Sequence, residues 1–184
     1  MYKAILFDMV GPLLQRRPDY IRDEVVETLE RIKNALSDDA DYLSAIKSDP
    51  ILQKYSLDEL MDRNVDKYQK IPEVWNLLLP KLKNHFQLGV INNGTAMTIS
   101  RFKERDNFAE YFDIFINSSE EHMDKPSPEI YLLACVKMSI KPYECIFIDD
   151  SQTNVEGAER VGMKGVQYRD YTDLITQLTI LGIL

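Results

Sequence analysis

Asp8 directly follows the apolar run Ala4-Ile5-Leu6-Phe7, so its carboxylate stands where a buried strand would end. A carboxylate held there can attack an electrophile, and a second acid two residues on would move the protons such an attack requires. The residue two places on is Val10, whose side chain carries no proton. Asp149 and Asp150 follow another apolar run, Cys145-Ile146-Phe147-Ile148. Adjacent carboxylates are costly unless a cation sits between or beside them. A third run leads into the polar turn Asn92-Asn93-Gly94, and Lys125 precedes the turn Pro126-Ser127-Pro128. Each segment alone is a weak signal, and their order along the chain is what makes a pattern.

These residues need a frame that brings them together. Five short apolar runs alternate with helical patterns: Ala4 to Phe7, Leu88 to Ile91, Ile114 to Ile116, Cys145 to Ile148 and Gly165 to Tyr168. Such runs read as strands buried on both faces, and their alternation with helices predicts an α/β class with a parallel sheet and crossover helices. Ligands of open α/β sheets bind beyond the carboxyl ends of the strands, where Asp8, Asn92 and Asp149 fall.

From about Gln15 to Lys70 there is no strand signal, and the stretch reads as a helical insertion. Its first helix is expected to carry Ile21, Val25, Leu29, Ile32 and Leu36 on one stripe. A later helix opens with Ser56 and Glu59 at capping-box spacing and gathers Leu57, Leu60, Met61, Val65 and Tyr68. The next helix begins near Pro72 and buries Trp75, Leu78, Leu79 and Leu82, with Pro80 expected to kink or end it. Further helices are expected over Thr95 to Asp106, from the Ser127 cap to Met138, from Asn154 to Val161 with Gly162 as the stop, and over Thr172 to Leu181.

The net charge of −8 over 184 residues, without a run of Lys and Arg, argues against a nucleic-acid-binding face. A small anionic ligand is compatible with it, because a local positive site operates within an acidic surface. Cys135 and Cys145 are spaced like neither a metal site nor a redox pair and are expected as free thiols. MYKAILF lacks a basic head followed by a long apolar stretch, and the tail Leu174 to Leu184 is too short to span a bilayer. A cytoplasmic protein without a membrane partner is expected.

The segments ILFDMVG, GVINNGT, MDKPSPEIY and CIFIDDSQTNVEGA, in this order, resemble the haloacid dehalogenase-like hydrolase superfamily over nearly the whole chain. The most specific part runs from KPSPEIY through IDDSQTNVEGAERVGMKGV. The resemblance implies a Rossmann-like core, residues 1–14 and 72–184, and a small helical cap, residues 15–71, inserted after the first strand. It implies phosphomonoester hydrolysis on a small phosphorylated molecule, with Asp8 as the nucleophile that takes up the phosphoryl group. Lys125 would neutralise Asp8 and the transferring group. It further implies Mg²⁺, held by the Asp8 carboxylate, the Val10 main-chain carbonyl and Asp150, with Asp149 acting through water and Asn154 bracing the loop. Asn92, Asn93, Gly94 and Lys125 would bind the phosphoryl oxygens.

The chain departs from the family pattern at four positions. Val10 stands where phosphatases usually carry the Asp that protonates the leaving oxygen, a contribution of about 10²- to 10⁴-fold. Pro12 replaces the usual threonine, and Asn92 the usual serine or threonine, although an amide donates the same hydrogen bond. His122 stands where glycine is common; an imidazole near the site would offer an acid-base group, the plainer reading being a loop histidine. Arg16 and Arg17 fall at the hinge into the insertion, where they could reach an anionic substrate, the plainer reading being a solvated hinge; Tyr20, Tyr42 and Tyr55 could line a substrate pocket, the plainer reading being packing within the inserted helices. The alternative to a hydrolase is a catalytically silenced relative that binds Mg²⁺ or a phosphorylated ligand as a regulatory module. A lesser alternative is dehalogenase or phosphonatase chemistry, the latter needing a lysine such as Lys33, Lys47, Lys54 or Lys67. Substrate identity and oligomeric state are not encoded in any of these motifs.

Overall fold

The computed structural model describes residues 1–36 and 39–184; residues 37 and 38 of the inserted stretch lie outside the described residues. The chain passes through β1 (Ala4–Phe7), β2 (Leu14–Arg16), α1 (Glu24–Ala35), α2 (Asp39–Ser48), α3 (Leu57–Asp66) and β3 (Tyr68–Lys70). It continues through α4 (Leu79–Lys83), β4 (Gln87–Asn92), α5 (Ala96–Asp106), β5 (Ile114–Asn117), α6 (Ser118–Glu121) and α7 (Pro128–Met138). The last elements are β6 (Cys145–Asp149), α8 (Gln152–Arg160), β7 (Lys164–Gln167) and α9 (Tyr171–Ile180).

All five expected apolar runs form strands, and they pair in parallel in the order β5-β4-β1-β6-β7. This is the α/β, Rossmann-like class. Alternation along β1 explains why every residue of it is buried: Ile5 and Phe7 pack into one core, Ala4 and Leu6 into the other. The first core is closed by Trp75, Leu78, Phe102 and Leu174 and the second by Ile130, Tyr131 and Ala158, so helices cover both faces of the sheet. A third cluster, with Val25, Leu29, Tyr42, Leu52 and Leu60, belongs to the inserted helices themselves.

The inserted stretch corrects several expectations. It is not free of strands: β2 and β3 pair antiparallel at its two ends, Gln15 against Gln69. Three-residue strands that are only partly buried carry no apolar run, so their pairing is set by closure of the insertion and not by a local pattern. The first helix starts later than its apolar stripe, because Asp23 caps it by accepting from Val26 N at 2.8 Å, and Ile21 lies outside it, 86% exposed. The capping box of Ser56 and Glu59 is present, but Tyr68 sits in β3 beyond the end of α3. A helix follows Pro72 as expected, yet it runs on through Pro80 to Lys83, because the turn before the proline, Val74–Leu78, opens to a π-helical one. The four helices expected after β4 form within two residues of their expected spans, the short α6 is an addition to them, and Gly162, with φ +94°, follows α8.

Cys135 and Cys145 are free and buried. Among the described residues no helix is long and apolar enough to cross a membrane.

Candidate active site

The parallel register puts Phe7 level with Val90 on one side and Ile148 on the other, so Asp8 emerges beside Asp149 at the end of β6. Its amide still donates to Ile148 O at 2.8 Å, holding it in line with the strand. Lys125 arrives from the loop before α7, and its ammonium bridges Asp8 Oδ1 at 2.5 Å and Asp149 Oδ2 at 2.8 Å. All three groups are buried, Asp149 completely. Asp149 is held on every side: Ser151 N donates to Oδ1 at 2.8 Å, and the Asn154 amide spans its oxygens at 3.2 and 3.1 Å. Asp150 is solvent-exposed, yet it offers an oxygen within 4.8 Å of oxygens of Asp8 and Asp149.

Three carboxylates therefore face one ammonium, and the floor of the site keeps two unbalanced negative charges. Burial first, and the charge of Asp149 with it, push Asp8 up to about 6 against the pull of Lys125. Burial disfavours the Lys125 ammonium, but the charges and hydrogen bonds of Asp8 and Asp149 outweigh it and raise its pKa. Partial burial and the neighbouring Asp149 raise Asp150 as well.

Each of these groups is placed by residues around it. The Asn93 amide grips the Lys125 backbone reciprocally, accepting from its N–H and donating to its C=O, both at 2.9 Å. Asn93, one of the residues assigned to the substrate from the sequence, lines the cavity while its side chain fixes Lys125. Asn92 lies at the cavity and donates to Asn117 Oδ1 at 2.9 Å, while Asn117 donates to Gly94 O at 2.9 Å. The Gly94 amide donates to Ser118 Oγ at 3.1 Å. Asn117 and Ser118 were missed in the sequence, although Asn117 ends an apolar run as Asn92 does. After Asp8 the chain folds back in a tight loop, with Leu14 N donating to Met9 O at 2.9 Å and Gly11 N to Leu14 O at 2.8 Å. Gly11 has φ +114°, and a Cβ there would lie 2.8 Å from Asp150 Cγ, so only glycine lets the loop pass the carboxylate. Val10 lines the cavity and packs partly against the first core.

Above the floor is a cavity of about 240 Å³, whose other wall is formed by Asn64, Lys67 and Tyr68 of the insertion together with Lys33. Of the four lysines considered from type alone, Lys33 and Lys67 reach it, and Lys47 and Lys54 are not part of its lining. Lys67 is buried and donates to Glu30 Oε1 at 2.8 Å, and Arg16 donates to the same oxygen at 2.7 Å. Arg16 is thus a paired, half-buried group and not a solvated hinge; Arg17 is exposed and pairs with Asp19. Burial lowers the Lys67 pKa against the opposing pull of Glu30. Burial would raise Glu30, but Lys67 and Arg16 outweigh it and hold Glu30 low. A larger outer cavity, about 740 Å³, adjoins this one and is lined in part by Ser118, Ser119 and His122. His122 is exposed, with φ 54°, and does not line the inner cavity. Tyr42 and Tyr55 pack in the third cluster, and Tyr20 lies under the Arg16 guanidinium.

A family model described as haloacid dehalogenase-like hydrolase matches residues 13–167, a stretch that contains Lys125, Asp149 and Asp150 and begins just after Asp8. The N-acetylmuramic acid 6-phosphate phosphatase of Pseudomonas aeruginosa is 26% identical over 91% of this chain and 81% of its own length. The glyceraldehyde 3-phosphate phosphatase of Methanopyrus kandleri is 28% identical over 53% of this chain, and the match spans only 42% of that protein. Among solved structures, a Bacteroides thetaiotaomicron enzyme in complex with magnesium and inorganic phosphate superposes with a TM-score of 0.72 at 21% identity, over 95% of this chain and 99% of that one.

Proposed function

The chain belongs to the haloacid dehalogenase-like hydrolase family, and we propose that it hydrolyses phosphomonoesters of small metabolites through covalent catalysis at Asp8. The observation that carries this reading is the Lys125 ammonium bridging Asp8 and Asp149 on the floor of a cavity. The relatives named as sugar and triose phosphate phosphatases support the substrate class. In this reading residues 1–14 and 72–184 form the catalytic core and residues 15–71 a cap that closes over the ester.

The Asp8 carboxylate attacks phosphorus, the bond to the leaving oxygen breaks, and an aspartyl phosphate forms; water then attacks phosphorus and releases inorganic phosphate. Lys125 opposes the charge that would otherwise repel a phosphate from Asp8, and it keeps doing so as charge shifts during transfer. Asn92 offers its amide to a phosphoryl oxygen, with its orientation fixed by Asn117. Asn93 acts one step back, by holding Lys125.

The two unbalanced negative charges and the all-oxygen donor set fit Mg²⁺. Asp8, Asp150 and the Val10 carbonyl would hold it directly, and Asp149, whose oxygens are already occupied, through water. When bound, the ion neutralises the floor and polarises the phosphoryl group. Phosphate release from a panel of esters, with and without Mg²⁺ and with Asp8→Asn, tests the reading; turnover that survives Asp8→Asn overturns it.

One observation favours a second reading, a silenced relative that only binds: Val10 lines the cavity where the family's second acid stands. Calorimetric binding of Mg²⁺ and phosphate without turnover on any ester would support that reading over the first.

A further inference from the structure

An ester that places its phosphoryl group against Asp8 and its organic part in the outer cavity must run its leaving group past the lining that the two cavities share. Among the described residues only Lys33, Asn93 and Gly94 line both. The Asn93 amide is committed to the Lys125 backbone and the Gly94 amide to Ser118. We propose that Lys33 is a catalytic residue, whose ammonium stabilises the leaving oxygen and hands it the proton that Val10 cannot supply. This inference rests on the phosphoryl-transfer reading of Asp8.

The other candidates for that proton are placed elsewhere. His122 faces only the outer cavity. Lys67 reaches the inner cavity, but its ammonium is held by Glu30. Tyr68 lines the inner cavity alone, and burial above all, with the charges of Glu30 and Asp8, raises its phenol and makes it a weaker acid. Lys33, by contrast, has neither an ion pair nor a hydrogen bond through its side chain among the described residues. It keeps exposed surface and lines both cavities. Partial burial lowers its pKa, with Asp8 and Glu30 acting the other way, which brings the group nearer to the range useful for proton transfer.

The proton balance closes over the cycle. The Asp8 carboxylate forms the O–P bond as the ester O–P bond breaks, and the electron pair of that bond goes to the leaving oxygen. The Lys33 proton goes to the same oxygen, giving an alcohol, an aspartyl phosphate and a neutral amine. Water then attacks phosphorus and gives a proton to the Lys33 amine, and the Asp8 carboxylate and hydrogen phosphate are released.

Leaving-group dependence tests this. p-Nitrophenyl phosphate leaves as a stable phenolate and needs little proton help, whereas glycerol 1-phosphate leaves as an alkoxide. With Mg²⁺ present, Lys33→Met is expected to lower kcat on the alkyl ester by about 10²-fold or more and on the aryl ester by less than about tenfold. Lys33→Arg keeps the charge but releases no proton, so the alkyl ester should stay slow. Equal losses on both esters, or full alkyl turnover in Lys33→Arg, would overturn proton donation by Lys33. Asp8→Asn is measured alongside: turnover that survives it overturns the underlying mechanism, an outcome distinct from a failure of Lys33 alone.

Discussion

Removing Lys125 as Lys125→Met deletes the single counter-charge shared by two buried carboxylates, Asp8 and the fully buried Asp149. Truncating one partner of a buried ion pair costs about 3–5 kcal/mol, because the other charge is stranded out of water. In a chain of this size that lowers the melting temperature by about 6–20 °C, at about 2–4 °C per kcal/mol. The loss should depend on pH. A carboxyl whose folded-state pKa lies above its unfolded value contributes stability that is complete below the unfolded pKa and lost as pH rises through the folded one. Asp8 is already pushed up to about 6 with Lys125 in place, and without the ammonium it must move higher. The gap between wild type and variant should therefore widen from pH 5 to pH 8. Thermal denaturation in EDTA across that range measures it, and Mg²⁺ should narrow the gap at the high end. A loss at pH 8 no larger than that of an exposed ion pair, about 1 kcal/mol, would show that no buried charge is stranded. So would a loss that does not change with pH.

Asn93→Ala removes both hydrogen bonds to the Lys125 backbone and should cost about 1–3 kcal/mol by chemical denaturation, with kcat falling more than KM changes. Gly11→Ala strains a φ +114° backbone by about 1–3 kcal/mol and drives a Cβ into Asp150. Its Mg²⁺ affinity, measured by calorimetry, should drop, and an unchanged affinity would remove Asp150 from the ion's ligands. Val10→Asp should restore alkyl ester turnover to Lys33→Met by about 10²-fold or more, since either acid serves the same oxygen.

The centre of the sheet was legible because β1, β4 and β6 are buried on both faces and read as apolar runs, so the residues at their ends, Asp8, Asn92 and Asp149, could be placed from the sequence. Lys125 was legible from its place before the proline turn. β2 and β3 were not, since three partly buried residues pairing across the whole insertion leave no period to detect. Ile21 fits the helical stripe, but the Asp23 cap overrides it. The reach of Lys33 and Lys67 into the cavity depends on how the inserted helices pack, which no local pattern in a single sequence encodes. The hold of the Asn93 amide on the Lys125 backbone was not legible for a related reason: it joins residues 32 apart, a contact that only the fold creates.

The most direct test of the central claim is a rapid acid quench of the protein turning over a phosphate ester with Mg²⁺, followed by peptide mass analysis. One added phosphoryl group is expected on the peptide that contains Asp8, and none in Asp8→Asn. Phosphate release with no phosphoryl group on that peptide, and undiminished turnover in Asp8→Asn, would contradict it.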